Sequence, residues 1–405
     1  MKTDAVKKWT LQFPISLALE GEDCFKHMAD MGIQRSLFCN GIYSPYRLVL
    51  PRHPQKAIYS LEEGRYYHKP IPAKYSGLPL SPTPSQDFDG RDLLAESVAG
   101  AKKAGISPGI WLTLFANGSI AKQHPEWAVM NLYDSRDRLF LCFNNPEVRE
   151  YSIRLGEEVV GNYDVDEVML DKIPQTCMEL NAFAGRIDPV MRTLGSFCFC
   201  PHCVAAAKKE GIDLLALKAQ ALKLSNAALK IPPYVTMSQA AELTGDAEIP
   251  LLLLDNPWIL QVLKFRIDSI RSFLGQLKAR LPRKEVPITL CFVPIAKIGH
   301  DSSSPRAWLA AQSYECYRDS AAEMIHSVVH WDADSVEYNT MRAMNAVEGS
   351  SLKVVTHVKA YGTTRPADIA GLSAAVKRAG ADGIAYFCYD LMTDEIMDAI
   401  AKAGR

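Results

Sequence analysis

The feature that most constrains the fold of this chain is a long-period alternation of apolar strand-like segments with helical ones. Strand-like patterns fall at Pro14–Glu20, Arg35–Tyr43, Pro108–Asn117, Glu167–Asp171, Pro287–Val293, Met324–His330, Lys353–Tyr361 and Gly383–Asp390. Helical patterns follow most of them: Glu22–Met31, Gly90–Ala104, Pro146–Gly161, Ser335–Val347, Pro366–Ala379 and Thr393–Ala403. Several of these helices end in glycine before the next strand, as in AKKAGI and VKRAGADGI, the usual C-terminal cap. Strands that alternate singly with helices pair in parallel. Eight of them predict an α/β fold of the (β/α)8 TIM-barrel type, with an open doubly wound sheet as the runner-up. A nucleotide-binding sheet would carry a glycine-rich loop after its first strand; ALEGEDC stands there instead.

The chain is expected to form one barrel domain over residues 1–405, with two oversized connections. Residues 44–89, after the second strand, are rich in proline and aromatics, with a hairpin expected around AIYSLEEGRYYHK. Residues 172–286, after the fourth, hold a cysteine cluster and at least two helices, one long and within Trp258–Leu281. Both follow strand C-termini, so both are expected to lie over the catalytic face as walls or lids.

Composition narrows the partners. A net charge of −1 gives no reason to expect nucleic acid. The apolar runs, such as Ile249–Leu254, are too short to span a bilayer. MKTDAVKKWTLQF lacks a signal-peptide core, so a cytoplasmic location is expected, with the ten cysteines reduced. A homo-oligomer is compatible with this composition.

Side chains alternate along a strand, so apolar positions facing the helices identify the inward ones. Counting this way points Glu20, Trp111, Asn117, Asp171, His357 and Lys359 into the barrel. Asn40, Tyr43, His330, Trp331, Tyr389 and Asp390 stand at strand ends. A buried unpaired carboxylate is costly, so Asp171, with Lys172 beside it, marks a site rather than scaffold. Aromatic faces beside polar groups suit a sugar, which has apolar C–H faces and polar edges. Two carboxylates across a cleft can hydrolyse a glycosidic bond. Asp171 is the expected nucleophile or base, and Glu20 or Asp390 the acid. Lys359 with His357 offers the rival chemistry of a sugar lyase, isomerase or aldolase, the lysine forming a Schiff base. A non-catalytic barrel that binds sugar or protein is the alternative from another class. No cofactor is required by either chemistry. In FCFCPHC, Cys198, Cys200 and Cys203 have the spacing of a zinc knuckle, with Cys177 or Cys142 available as a fourth ligand to a structural zinc.

The segments HPEWAVMN (His124–Asn131), LCFNNPEVREY (Leu141–Tyr151), YDVDEVMLDKI (Tyr163–Ile173) and CFCPHC (Cys198–Cys203) occur in that order. With IHSVVHW and GADGIAYFCYD nearer the C-terminus, they resemble a broad group of glycosyl hydrolase barrels, similar in layout to α-amylase-like and α-galactosidase-like enzymes. The resemblance covers roughly residues 12–400. It implies a small-molecule carbohydrate substrate, Asp171 as the acidic residue ending strand four, and His124 and Trp127 lining the sugar pocket. One departure stands out: the fifth strand, TLCFVPI, ends without an acidic residue.

Overall fold

The computed structural model describes residues 6–171, 173, 189–230, 248–292, 307–327 and 332–403. Eight parallel strands close into a barrel in sequential order. They are β1 (Lys7–Gln12), β2 (Arg35–Cys39), β3 (Ser107–Thr113), β4 (Glu167–Asp171), β5 (Ile288–Phe292), β6 (Glu323–Ser327), β7 (Lys353–Lys359) and β8 (Gly383–Phe387). The expected (β/α)8 architecture is therefore present.

One strand is displaced from its expected place. Pro14–Glu20 is not a strand: Ile15–Glu20 forms the short helix α1, entered through Pro14 at φ −64°, and β1 lies just upstream. Proline has no N–H to give a ladder but suits a helix start, and over six residues ISLALE fits either period. Glu20 consequently ends a helix instead of a strand.

Neighbouring strands pair Trp9 with Arg35, Leu37 with Gly109, Gly109 with Glu167, Thr289 with Glu323, and Val355 with Gly383. Odd-numbered residues on these strands therefore share the interior. Trp9, Leu11, Leu37, Trp111, Met169, Ile325, Val355 and Ala385 pack there as one buried cluster. The interior is filled, as the fold requires. Gly109 is part of that fit, because a Cβ there would come within 2.4 Å of the Leu37 side chain.

The N-terminal end of the barrel is closed by charge. Arg35 lies 4.4 Å over the Trp9 ring, donates to Glu167, and donates to Glu323 at 2.8 Å. Burial pushes Glu167 up to about 7, with Arg35 pulling against it and Glu323 adding to it. Even-numbered strand residues such as Ile110, Leu112, Val168, Leu170, Val354 and Ile384 face the helices and build the outer core.

That layer includes α2 (Asp23–Asp30), α3 (Leu93–Lys103), α4 (Gly118–Gln123) and α5 (Pro146–Asn162). Between β4 and β5 lie α6 (Pro189–Gly195), α7 (Pro201–Lys209), α8 (Leu214–Leu229), α9 (Glu248–Asp255) and α10 (Trp258–Arg280). The last of these joins two cores. Ile259, Val262, Leu263 and Phe265 pack with α7 and α8, whereas Phe273, Leu274 and Leu277 pack in the barrel's outer core. The remaining helices, α11 (Tyr314–Ser320), α12 (Ala333–Ala346), α13 (Pro366–Arg378) and α14 (Asp394–Lys402), complete the ring.

After β2, Arg47–Val49 pairs antiparallel with Ile58–Ser60, so the hairpin forms upstream of its expected position. Among the described residues, no helix is long and apolar enough to cross a membrane.

Candidate active site

Asp171 ends β4 on the interior side, half-buried, at the C-terminal mouth of the barrel. Its Oδ2 accepts a hydrogen bond from Trp111 Nε1 at 3.1 Å. Trp111 in turn packs on Phe13 (5.4 Å between centroids) and on Phe387 (5.9 Å). The aromatic series continues across the mouth: Phe387 meets His357 edge-on at 4.9 Å and Tyr361 at 5.9 Å. Lys359 Nζ lies 4.9 Å over Tyr361 and donates to Thr363 Oγ1 at 3.2 Å. Buried His357 has Nδ1 3.3 Å from Ser327 Oγ. The inward facing of Trp111, Asp171, His357 and Lys359 agrees with side-chain counting, and the aromatic series links all of them.

Glu20 and Asp390 have different surroundings. Asp390 is fully buried. Its Oδ2 accepts from Phe13 N at 2.7 Å, and its Oδ1 accepts from Ser16 N at 3.2 Å and Ser16 Oγ at 2.6 Å. Cys388 Sγ lies 3.3 Å from Oδ2. This carboxylate ties the turn after β1 to the end of β8. Burial pushes its pKa up, against the Ser16, Phe13 and Cys388 donors that favour the charge.

Glu20 accepts from Arg52 Nη2 at 2.6 Å and Tyr389 Oη at 2.8 Å, with His53 at 3.0 Å and His27 at 3.3 Å. Burial pushes Glu20 up, but Arg52, Tyr389 and His53 outweigh it and hold the carboxyl below its ordinary value. Arg52 also donates to the carbonyls of Tyr389 and Met392 and lies 4.5 Å over the Tyr389 ring. The connection after β2 is thereby fastened to the chain following β8.

The other expected binding residues are dispersed. Buried Asn40 has Oδ1 2.9 Å from His68 Nδ1; His68 Nε2 is 3.3 Å from Glu158, which also accepts from Tyr75 Oη at 2.6 Å. Asn40 Nδ2 has no protein partner among the described residues. Asn117 caps α4 by accepting from Ile120 N at 3.0 Å. Tyr43 pairs its hydroxyl with Tyr46. Trp127 is buried in the outer core and donates to Glu147 at 2.8 Å. His124 packs at 5.2 Å against the Trp127 ring and pairs with Glu126 at 2.9 Å. Lys172, His330, Trp331 and Cys177 lie outside the described residues.

Sequence reasoning missed Phe13, Phe387 and Ser327 at the mouth and Arg52 and His53 around Glu20. Correct placement of β1 would have revealed Phe13, two residues beyond Leu11 on the inward face.

A second cluster lies apart from the aromatic series. The sulfurs of Cys142, Cys198, Cys200 and Cys203 all lie within 4.8 Å of one another, and all four residues are buried. Cys142 follows the hairpin Ala128–Met130/Arg136–Leu141, while Cys200 caps α7.

The (β/α)8 barrel is similar in fold to several solved glycoside hydrolase structures. The catalytic domain of β-amylase from Paenibacillus polymyxa superposes with a TM-score of 0.59 at 10% identity, covering 99% of this chain and 98% of that one. α-L-Fucosidase isoenzyme 2 from Paenibacillus thiaminolyticus gives 0.56 at 13% identity, with 99% of this chain matched to 49% of that enzyme. The PgaB glycoside hydrolase domain from Bordetella bronchiseptica gives 0.54 at 10%, covering 98% of each. No family model matches the sequence. An S-layer-related protein from Niallia circulans is 31% identical over a 102-position match that covers 20% of this chain and 6% of that protein.

Proposed function

We propose that the protein is a carbohydrate-active enzyme, a glycoside hydrolase acting on a small glycoside or oligosaccharide. The observation that carries this reading is Asp171: a half-buried carboxylate at the end of β4, held by Trp111 within a run of aromatic rings. Such rings bind the C–H face of a sugar while the carboxylate addresses its reacting carbon.

Glu20 and Asp390 are positioning residues in this scheme. The Glu20 charge is held by Arg52, and the Asp390 oxygens are occupied by the turn after β1. The proton donor is then His357, on β7, three strands round the barrel from Asp171. Its proton passes to the glycosidic oxygen as the C–O bond breaks. Asp171 takes the proton of the attacking water, or attacks the carbon first and is released by water. Lys359 and Tyr361 contact sugar hydroxyls and the ring face.

The test is a panel of aryl glycosides and short oligosaccharides assayed with Asp171→Asn and His357→Gln. The first should bind ligand and lose about 10²–10⁴ in kcat. The second should keep turnover only on glycosides with activated leaving groups, which need no proton. Full turnover by Asp171→Asn on any substrate of the native enzyme overturns the assignment.

Lys359 supports a second reading, a sugar lyase or aldolase, because it lies at the same mouth. A Schiff-base lysine is usually desolvated, whereas Lys359 is half-buried and donates to Thr363. Borohydride trapping of a sugar aldehyde on Lys359 would favour that chemistry over hydrolysis.

A further inference from the structure

We propose that Cys142, Cys198, Cys200 and Cys203 bind one zinc ion, which joins the hairpin after β3 to the helical excursion after β4. This site is separate from the aromatic mouth and does not depend on the reaction proposed there.

The geometry carries the assignment. Cys142 Sγ lies 3.3 Å from Cys200, 3.5 Å from Cys203 and 4.0 Å from Cys198. Four sulfurs at about 2.3 Å from a central zinc sit about 3.8 Å apart along each edge of the tetrahedron. The observed sulfurs cluster as such a tetrahedron, all near one another, instead of pairing off in twos. A four-sulfur set excludes the hard cations magnesium and calcium, which take oxygen ligands, and selects a thiophilic ion.

The surroundings match a thiolate site. Met130 N donates to Cys198 Sγ at 3.4 Å, Cys203 N to Cys200 Sγ at 3.5 Å, and Asn144 Nδ2 to Cys203 Sγ at 3.4 Å. Such N–H donors lower the cost of holding negative sulfur in an apolar setting. Four thiolates around a dication leave a net double negative charge, and a cation stands nearby. Arg149 reaches Asn144 Oδ1 at 3.5 Å, so the residue that donates to Cys203 is itself held by a guanidinium. Phe140, Phe197 and Phe199 pack in the same buried cluster and screen the sulfurs from water.

The consequence is structural. With four protein ligands, all buried, no coordination position is left for water or substrate. The ion spans 58 residues between Cys142 and Cys200, so it fastens α7 to the hairpin and, through their shared core, α10 to the barrel. Cys198, Cys200 and Cys203 are the knuckle visible in the sequence; Cys142 is the ligand from a distant element that completes it.

The test uses the full chain, expressed with zinc supplementation and purified under reducing conditions. Elemental analysis should give one zinc per chain, lost in Cys142→Ser and Cys203→Ser and retained in Cys316→Ser, whose buried thiol lies outside the cluster. Should the two ligand variants fail to fold, the native chain still decides the matter. Reduced, chelator-treated protein titrated with cobalt(II) should show intense thiolate charge-transfer absorption and tetrahedral d–d bands, both abolished by zinc. Substoichiometric zinc together with no cobalt spectrum overturns the proposal, as does zinc content unchanged in folded Cys142→Ser and Cys203→Ser.

Discussion

Replacing Asp390 separates a catalytic carboxylate from one that holds the fold. In Asp390→Ala the backbone N–H groups of Phe13 and Ser16 lose their acceptor in a site with no exposure. The Ser16 hydroxyl loses one as well. A buried donor left unsatisfied costs about 1–3 kcal/mol. The hydroxyl can rotate to a new partner, so the two backbone groups dominate. Their sum is about 2–6 kcal/mol, and a water entering the vacated space lowers it, giving an expected loss of about 3–4 kcal/mol. Asp390→Asn keeps one acceptor oxygen and should lose roughly half as much. Urea unfolding followed by tryptophan fluorescence reads the loss as a lower midpoint, and the slope should stay constant. Activity per folded molecule should fall only modestly at a temperature where the variant remains folded. The reasoning is refuted if Asp390→Ala unfolds with the native midpoint while turnover collapses, because the carboxylate would then be acting on substrate.

Further outcomes follow from the two other buried charge clusters. Arg52→Met breaks a largely buried pair with Glu20 and should cost about 3–5 kcal/mol at neutral pH. Glu20 is held below its ordinary value, so this stability is present above about 4.5 and is lost as pH falls through the lowered value. Thermal melts should show the gap between native and variant narrowing in acid; a gap independent of pH would contradict the pairing. Glu167 carries the opposite sign: its value rises from 4.5 to about 7. Stability from its protonated form is complete below 4.5 and lost as pH rises through 7, a change of about 3 kcal/mol at most. Glu167→Gln should therefore gain on the native protein between pH 5 and 8 in chemical denaturation, and parallel profiles would place the proton elsewhere.

What the sequence made legible depended on how far the local pattern determined the pairing. The fourth strand, Glu167–Asp171, appears with its expected bounds because Val168 and Leu170 point outward into one apolar layer and leave Met169 and Asp171 inside. The seventh strand, expected over Lys353–Tyr361 and observed over Lys353–Lys359, succeeds for the same reason, and with it the inward facing of His357 and Lys359. The first strand failed because ISLALE alternates as a strand would, while the neighbouring KKWTLQ begins with two lysines that obscure it. That one shift moved Glu20 out of the barrel and hid Phe13. The partners of Glu20 and Asp390 were beyond reach for another reason. Arg52 and Asp390 are separated from their partners by 32 and 374 residues, and no short-range period encodes such meetings. Under the proposed function, with Glu20 held by Arg52 and Asp390 by the turn after β1, the reaction to be tested changes. If Asp171 is the reactive carboxylate and His357 the proton donor, protons must move between unlike groups. On that reading His357→Gln should lose turnover on glycosides with poor leaving groups and keep it on activated ones, and equal losses on both would remove His357 from the proton transfer.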